Sequence, residues 1–214
     1  MPADGVASPK PTAARRAMLG NMSGLDIAVS IALGVGLAAA TGFRVFLPLL
    51  VASVAAYTGH LQLSESFTWL GTLPAVMMLG VAAVVEVLAY YIPAVDNLLD
   101  TITTPTALVA GTLVAAATIT NLPPVVKWAT AIIAGGGVTG ITQATTALLR
   151  AKSTVLTGGL GNPVLSTLEL VGALLLAVLA LVAPLLAIAL VVVFIGFAVR
   201  RARRVLNRSG NRSA

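Results

Sequence analysis

The stretch LAAATGFRVFLPLLVAS, residues 37–53, places an arginine in the middle of an apolar run that is long enough to be a membrane helix. The whole run covers residues 26–57. As one straight helix it would measure about 48 Å, against a hydrocarbon core of about 30 Å. A Thr-Gly pair, Thr41-Gly42, lies near its centre. The excess length and the glycine predict a helix broken at this pair, with a shorter helix on either side.

The composition of the 214-residue chain is that of a membrane protein. Hydrophobic residues make up 58% of it and charged residues 9%, whereas soluble domains carry about 25% charged residues. The mean hydropathy is +1.00. These values predict an all-α polytopic membrane protein. The chain has no cysteine and one histidine, so the sequence predicts neither a metal site nor a cofactor.

Six apolar runs have the length of transmembrane helices. They are residues 26–57, 70–92, 104–121, 126–149, 166–183 and 184–199. The last two are separated only at Ala183-Pro184, and one long kinked helix is the alternative. The runs divide the chain into a disordered cytoplasmic leader, two membrane repeats and a basic cytoplasmic tail, covering residues 1–24, 25–121, 122–199 and 200–214.

The basic residues concentrate at the two ends of the chain. Lys10, Arg15 and Arg16 precede the first apolar run, and six arginines follow the last. Flanking clusters of this kind are typical of cytoplasmic ends and of contacts with anionic lipids, rather than of nucleic-acid binding. With six crossings, both termini are expected on the cytoplasmic side of a bacterial inner membrane. We also expect a chain this small to form a homo-oligomer.

The chain contains a weak internal repeat. LAAATGFRVFLPLLVAS (37–53) is similar to GGGVTGITQATTALLRA (135–151), and Thr41-Gly42 matches Thr139-Gly140. Each copy would begin a unit of three spans, so the second copy would enter the membrane from the opposite side. The pattern predicts a 3+3 inverted-topology repeat, which is common among secondary transporters.

Arg44 and Glu86 are the charged residues placed deepest in the predicted spans. Such residues are costly in a membrane unless they are paired or hydrated. If the helix restarts at Gly42, Arg44 lies beside a half-helix N-terminus, which predicts an anion site for a carboxylate or phosphate. Glu86 is the candidate proton-coupling group. The alternative is a structural Arg44–Glu86 pair with no ligand.

Further polar residues cluster in and after the second span. Asp96 and Asp100 lie four residues apart beside Asn97, so they share one helix face and form a candidate cation site or gate. A solvated interfacial helix is the other interpretation. Asn162, in the turn-rich stretch TGGLGNPVLSTLE (157–169), is a second candidate for a gate.

Span four carries hydroxyl and amide side chains at helical spacing, namely Thr139, Thr142, Gln143 and Thr146. On a membrane helix such side chains either bind neighbouring helices or line a polar path. The predicted substrate-binding residues of the two copies together are Thr41, Gly42, Arg44, Thr139, Gly140 and Gln143. No catalytic residue is predicted, because the chain lacks the phosphate-loop, metalloprotease and Ser-hydrolase motifs.

The chain resembles DUF4126, an uncharacterised bacterial integral-membrane family defined as a domain of unknown function. The resemblance covers about residues 24–200 and rests on TGFRVFLPLL (41–50), on Glu86 followed by IPAVDNLLDTITTPTA (92–107), and on GNPV (161–164). In that family a charged pair often precedes the Ile-Pro, where this chain has Tyr90 and Tyr91. The resemblance implies a membrane topology and no mechanism.

Together these patterns predict a small transporter or channel for an anionic solute or a lipid-phosphate head group, with proton coupling through Glu86, and not an enzyme. The alternative is a structural or partner-binding membrane subunit that holds a buried Arg-Glu pair and transports nothing.

Overall fold

The computed structural model describes the backbone of residues 13–120 and 122–210, and the side chains of residues 24–92, 102–120, 122–201 and 203. The described backbone forms helices and no strand. A 3₁₀ helix, Glu65–Gly71, precedes α3, and a π-helix, Ala131–Gly136, joins α5 to α6. The α-helices are α1 (Ala13–Thr41), α2 (Phe46–Tyr57), α3 (Leu73–Ala89), α4 (Pro93–Thr118), α5 (Pro124–Thr130), α6 (Gly137–Thr157), α7 (Asn162–Val182) and α8 (Pro184–Gly210).

The protein is an all-α polytopic membrane protein. By length and composition, four helical stretches of the described chain can cross a membrane, and a fifth can if the 3₁₀ helix and α3, bent by 69°, form one span. Large apolar side chains cover the outer face of α8, where Val192 and Val193 are exposed. The predicted six spans exceed this number, because α2 and residues 102–118 of α4 are shorter.

The predicted break at Thr41-Gly42 is present, since α1 ends at Thr41 and α2 begins at Phe46. The two helices form a hairpin instead of one broken crossing. A Cβ atom placed on Gly34 of α1 would lie 2.8 Å from the Thr118 hydroxyl at the end of α4. Ser64, in the segment after α2, donates its N–H to the carbonyl of Ala117 at 2.8 Å. The start of the hairpin and the segment after it therefore lie at the same end of the bundle.

Residues 119–120, residues 122–123 and Ala183 mark this end of the bundle, which we call the 120 end. The opposite end, called the 160 end, carries the α3–α4 turn (90–92) and the α6–α7 turn (158–161). The tip of the hairpin, residues 42–45, lies between the two ends, surrounded by α3, α4, α6 and α7. Most of α1 from Gly24 onward is buried, whereas most of α8 is exposed.

The two Thr-Gly segments run in the same direction. The Thr139 hydroxyl donates to the carbonyl of Ala38 at 2.6 Å, and a Cβ atom on Gly42, four residues later, would lie 2.5 Å from the Cβ of Thr142. The helices that contain these segments, α1 and α6, are both antiparallel to α4. Gly34 of α1 lies against Thr118 of α4, and Gly140 of α6 lies against Leu108 of α4. An inverted repeat requires opposite directions, so that prediction is wrong for these segments.

Helices α1 and α8 are also parallel. A Cβ atom on Gly36 would lie 3.3 Å from the Cβ of Ala187, and seven residues further along each helix the rings of Phe43 and Phe194 have centroids 6.1 Å apart. The start of α1 therefore lies at the 120 end and the finish of α8 at the 160 end. Termini on one side would require antiparallel helices, so that prediction is wrong for the described helices.

The division of the last apolar run at Ala183-Pro184 is observed. α7 ends at Val182 and α8 begins at Pro184. Leu176 and Val191 belong to one apolar cluster, although in a continuous helix they would lie about 22 Å apart. The chain therefore reverses at Ala183 and forms two helices.

The leader is described only from Ala13, where α1 already begins. Residues 13–24 are thus helical, contrary to the predicted disorder. The sequence AARRAMLG (13–20) consists mostly of strong helix formers, which explains the extension of α1.

Candidate functional site

The hairpin tip satisfies its own backbone donors. The N–H groups of Gly42, Phe43 and Arg44 donate to the carbonyls of Ala39 and Ala40 at 3.0–3.3 Å, so they prolong the last turn of α1. The predicted free helix N-terminus at Gly42 is therefore wrong. The second helix begins later, at Phe46.

The carboxylate of Glu86 binds the true start of α2. Its Oε1 accepts the N–H of Val45 at 2.7 Å, and its Oε2 accepts the N–H of Phe46 at 3.0 Å. These donors are among those that a helix start leaves unsatisfied, and a carboxylate is their favoured acceptor. Glu86 thus fills the anion position that the sequence assigned to a ligand. The structure forms no Arg44–Glu86 ion pair within 4 Å in the described part of the chain, so the predicted pair is wrong.

Arg44 lies at the centre of the site, with only 1% of its surface exposed. Its Nη2 donates to the carbonyl of Ser166 at 2.9 Å and to the hydroxyl of the same residue. The same nitrogen lies 3.9 Å from Oε2 of Glu169. Its Nε and Nη1 have no hydrogen-bond acceptor among the described residues. A buried guanidinium with two such nitrogens is unusual, because buried polar groups are almost always hydrogen-bonded.

Arg150 joins the same cluster from α6. Its Nε donates to Oε1 of Glu169 at 3.0 Å, and its Nη2 donates to Oε2. Both arginines stack on Tyr90, with their Cζ atoms 4.0 Å and 4.1 Å from the centre of the ring. The aromatic ring stabilises the two cations while leaving the edges of the guanidinium groups available for hydrogen bonds.

A polar row connects Tyr90 to the predicted residues of span four. The Tyr90 hydroxyl lies 3.2 Å from the hydroxyl of Thr103, which accepts a hydrogen bond from Gln143 Nε2 at 3.4 Å. Gln143 is therefore part of the site. Thr41 and Thr139 instead bind backbone carbonyls, those of Leu37 for the first and of Ala38 and Gly135 for the second.

The other predicted residues contribute to packing or lie outside the described part. Gly42 and Gly140 pack against Thr142 and Leu108. Asn162 is buried, and its Nδ2 donates to the Thr154 hydroxyl at 3.1 Å. The side chains of Asp96, Asn97 and Asp100 lie outside the described residues. Within the described residues no three His, Cys, Asp or Glu side chains form a metal-binding group.

Sequence reasoning did not select Tyr90, Arg150, Ser166 and Glu169 as site residues. Glu169 could have been identified from the sequence, since it is the only charged residue between Asn162 and Val182. It lies at the end of the turn-rich stretch 157–169 and near the start of the predicted span 166–183. Arg150 directly follows the predicted span 126–149.

Comparison with known proteins places the chain in a family without an assigned activity. The sequence profile described as Domain of unknown function (DUF4126) matches residues 31–204. Neither the curated proteins nor the solved structures include a significant match. The matched region covers most of the chain and contains the hairpin tip, both arginines and both buried glutamates. The chain therefore belongs to the DUF4126 family.

Proposed function

We propose that the protein is a small membrane transporter or channel for an anionic solute or a lipid-phosphate head group, with Arg44 as a binding residue. The observation that carries this proposal is the buried guanidinium of Arg44, whose Nε and Nη1 lack an acceptor in the described structure. Two donors on a cation held inside a membrane protein are suited to an oxyanion.

The surroundings of Arg44 favour movement during binding. The side chain is enclosed, and the start of α2 beside it is bound by one carboxylate, that of Glu86. Protonation of Glu86 would remove its charge and turn one of its oxygens into a hydroxyl, which is a weaker acceptor, and so weaken its hold on the tip. In this proposal Glu86 couples a proton to the opening of the hairpin.

The proposal includes an orientation in a bacterial inner membrane. Lys152, Arg200, Arg201 and Arg203 lie on the parts of α6 and α8 that reach the 160 end and outnumber Arg15, Arg16 and Lys127 towards the 120 end, so the positive-inside rule favours a cytoplasmic 160 end. Trp69 and Trp128 lie near the opposite end, where an aromatic belt is expected. Anionic lipids would bind the basic end of α8, and copies of the chain would associate as a homo-oligomer.

A structural or partner-binding subunit is the second candidate. The bidentate contact of Arg150 with Glu169 favours it, because this pair is satisfied without any ligand. In that case the cluster would fix the packing of α6 on α7, and no anion would cross the membrane.

A flux assay separates the two candidates. Proteoliposomes loaded with radiolabelled acetate or inorganic phosphate would be compared for wild type, Arg44→Gln and Lys152→Gln, a matched loss of one exposed cation. We expect protein-dependent efflux that falls at least tenfold in Arg44→Gln and is unchanged in Lys152→Gln, with both variants monodisperse in detergent. Equal leakage from protein-free and wild-type vesicles for both anions would contradict transport of these small anions.

A further inference from the structure

We infer that Glu169 is an internal substitute for the ligand, and that the ligand is a carboxylate that replaces the Glu169 carboxylate between Arg44 and Arg150. This inference rests on the proposed function and narrows it to one class of anion.

The contacts of Glu169 define the chemistry of the site. One guanidinium holds its two oxygens side by side, through Arg150 Nε at 3.0 Å and through Arg150 Nη2. Such a two-point contact fits a planar group with two adjacent oxygens, which a halide does not provide. The anion that replaces Glu169 therefore needs two adjacent oxygens, and among such anions a carboxylate is the group that already occupies this position in the structure.

Glu169 satisfies Arg150 well and Arg44 poorly. Its Oε2 lies 3.9 Å from Arg44 Nη2, which is beyond hydrogen-bond distance. The hydrogen bonds of Arg44 go instead to the neutral oxygens of Ser166. A free carboxylate is not tied to α7, so it can approach the Nε and Nη1 of Arg44 and form bonds that Glu169 does not form.

The two buried glutamates differ in the kind of group that they bind. Glu86 binds two backbone N–H groups of the hairpin tip, at 2.7 Å and 3.0 Å. Glu169 binds only side chains in the described structure, and two arginines share it. A single side chain can follow a ligand, whereas two backbone N–H groups move only with the whole hairpin tip, so Glu169 is the carboxylate that a ligand replaces and Glu86 is not.

Removal of the internal carboxylate should strengthen binding. Acetate binding to the purified protein would be measured by calorimetry at constant ionic strength, with chloride as the reference anion. Wild type would be compared with Glu169→Gln, and with Glu65→Gln as a matched loss of an exposed carboxylate at the 120 end. We expect acetate to bind Glu169→Gln at least tenfold more tightly than wild type, with Glu65→Gln unchanged. The double variant Arg44→Gln with Glu169→Gln should lose this gain in acetate affinity.

The outcomes separate this inference from the proposed function. Acetate binding to wild type that is unchanged or weaker in Glu169→Gln overturns the substitute role and leaves anion binding by Arg44 intact. Absence of acetate and phosphate binding in folded wild type and folded Glu169→Gln overturns both proposals. If Glu169→Gln does not fold, Glu169→Asp, whose carboxylate is set back by one methylene, should bind acetate at least threefold more tightly than wild type, and equal affinity overturns the inference.

Acetate and octanoate distinguish a free small acid from a fatty acid. An apolar cavity of about 160 Å³ lies beside the hairpin tip, lined by Phe43, Leu176, Leu190 and Phe194 among others. A cavity of this size holds about one benzene ring. Tighter binding of octanoate than acetate, lost in Leu190→Trp and kept in Leu186→Trp, assigns the carboxylate to a fatty acid. Equal affinities assign it to a small free acid.

Discussion

The two Thr-Gly segments of this protein begin alike and continue differently. After Thr41-Gly42 the chain leaves the helix and reverses, whereas after Thr139-Gly140 it continues as α6 to Thr157. The residue that differs most between the matched segments is Pro48, whose counterpart is Thr146. A proline in a continuing helix would lack its N–H donor and clash with the preceding turn, but in the first turn of a new helix it is tolerated.

The comparison shows that a glycine permits a break and that its neighbours decide whether the break occurs. The first segment combines Pro48 with a carboxylate from α3, which binds the N–H groups of Val45 and Phe46. The second segment has neither feature, and the preceding π-helix (131–136) stays within the helical path.

The largest effect is expected at Glu86. Glu86→Ala would leave the N–H groups of Val45 and Phe46 without their acceptor, at a cost of about 4 kcal/mol for two charge-assisted bonds. Glu86→Gln keeps one acceptor oxygen, which forms a neutral and therefore weaker hydrogen bond, and should cost less than Glu86→Ala. Unfolding free energies in detergent would measure both. Equal losses for the two variants would contradict the capping role.

The second largest loss of stability is expected when proline is moved from one segment to the other. Thr146→Pro should destabilise the protein by about 3 kcal/mol or more, because position 146 lies inside α6 and needs its N–H. Pro48→Thr should cost about 1 kcal/mol or less, because the first turn of α2 has no intrahelical partner for this donor. Thermal unfolding of both variants in detergent tests the asymmetry, and equal shifts in the midpoint temperature would disprove this account of the hairpin.

These differences also explain what could be predicted from the sequence. The break at Thr41-Gly42 and the helices near 70–92 and 166–199 were predictable, since they depend on the length of apolar runs and on glycine and proline. The reversal at the break was not, because a break does not encode the direction in which the next helix runs. The carboxylate that binds the start of the reversed helix belongs to Glu86, which lies about forty residues away.

A residue of the candidate site could be predicted from the sequence only where that residue was unusual by itself. Arg44 stood out because an arginine inside an apolar run needs an explanation. Its contacts with Ser166 and Glu169 come from α7, more than a hundred residues later. Glu86 was identified as a buried carboxyl, but its contact with the start of α2 was not predicted, because the sequence does not show whether a guanidinium or a helix start lies beside it.

The third prediction concerns the stability lost when either glycine of the two Thr-Gly pairs is replaced by alanine. A Cβ atom on Gly42 would lie 2.5 Å from the Cβ of Thr142 and 2.7 Å from the carbonyl of Thr139, so part of it would meet backbone. A Cβ atom on Gly140 would lie 2.9 Å from a terminal methyl of Leu108, which is partly exposed and can rotate. Gly42→Ala should therefore cost about 2 kcal/mol through overpacking. Gly140→Ala should be near neutral, and a larger loss for Gly140→Ala would contradict the observed packing.

The smallest loss of stability is expected when either threonine of the two Thr-Gly pairs is replaced by valine. The Thr139 hydroxyl reaches across to the carbonyl of Ala38 in α1 at 2.6 Å, whereas the Thr41 hydroxyl binds the carbonyl of Leu37 in its own helix. Thr139→Val should cost about 0.6 kcal/mol, the average for a hydrogen bond between membrane helices. Thr41→Val should cost less, because the carbonyl of Leu37 can still accept the bond of its own helix. If Thr41→Val were the more damaging change, its hydroxyl would have a role beyond its own helix, and the predicted place of Thr41 in the binding site would gain support.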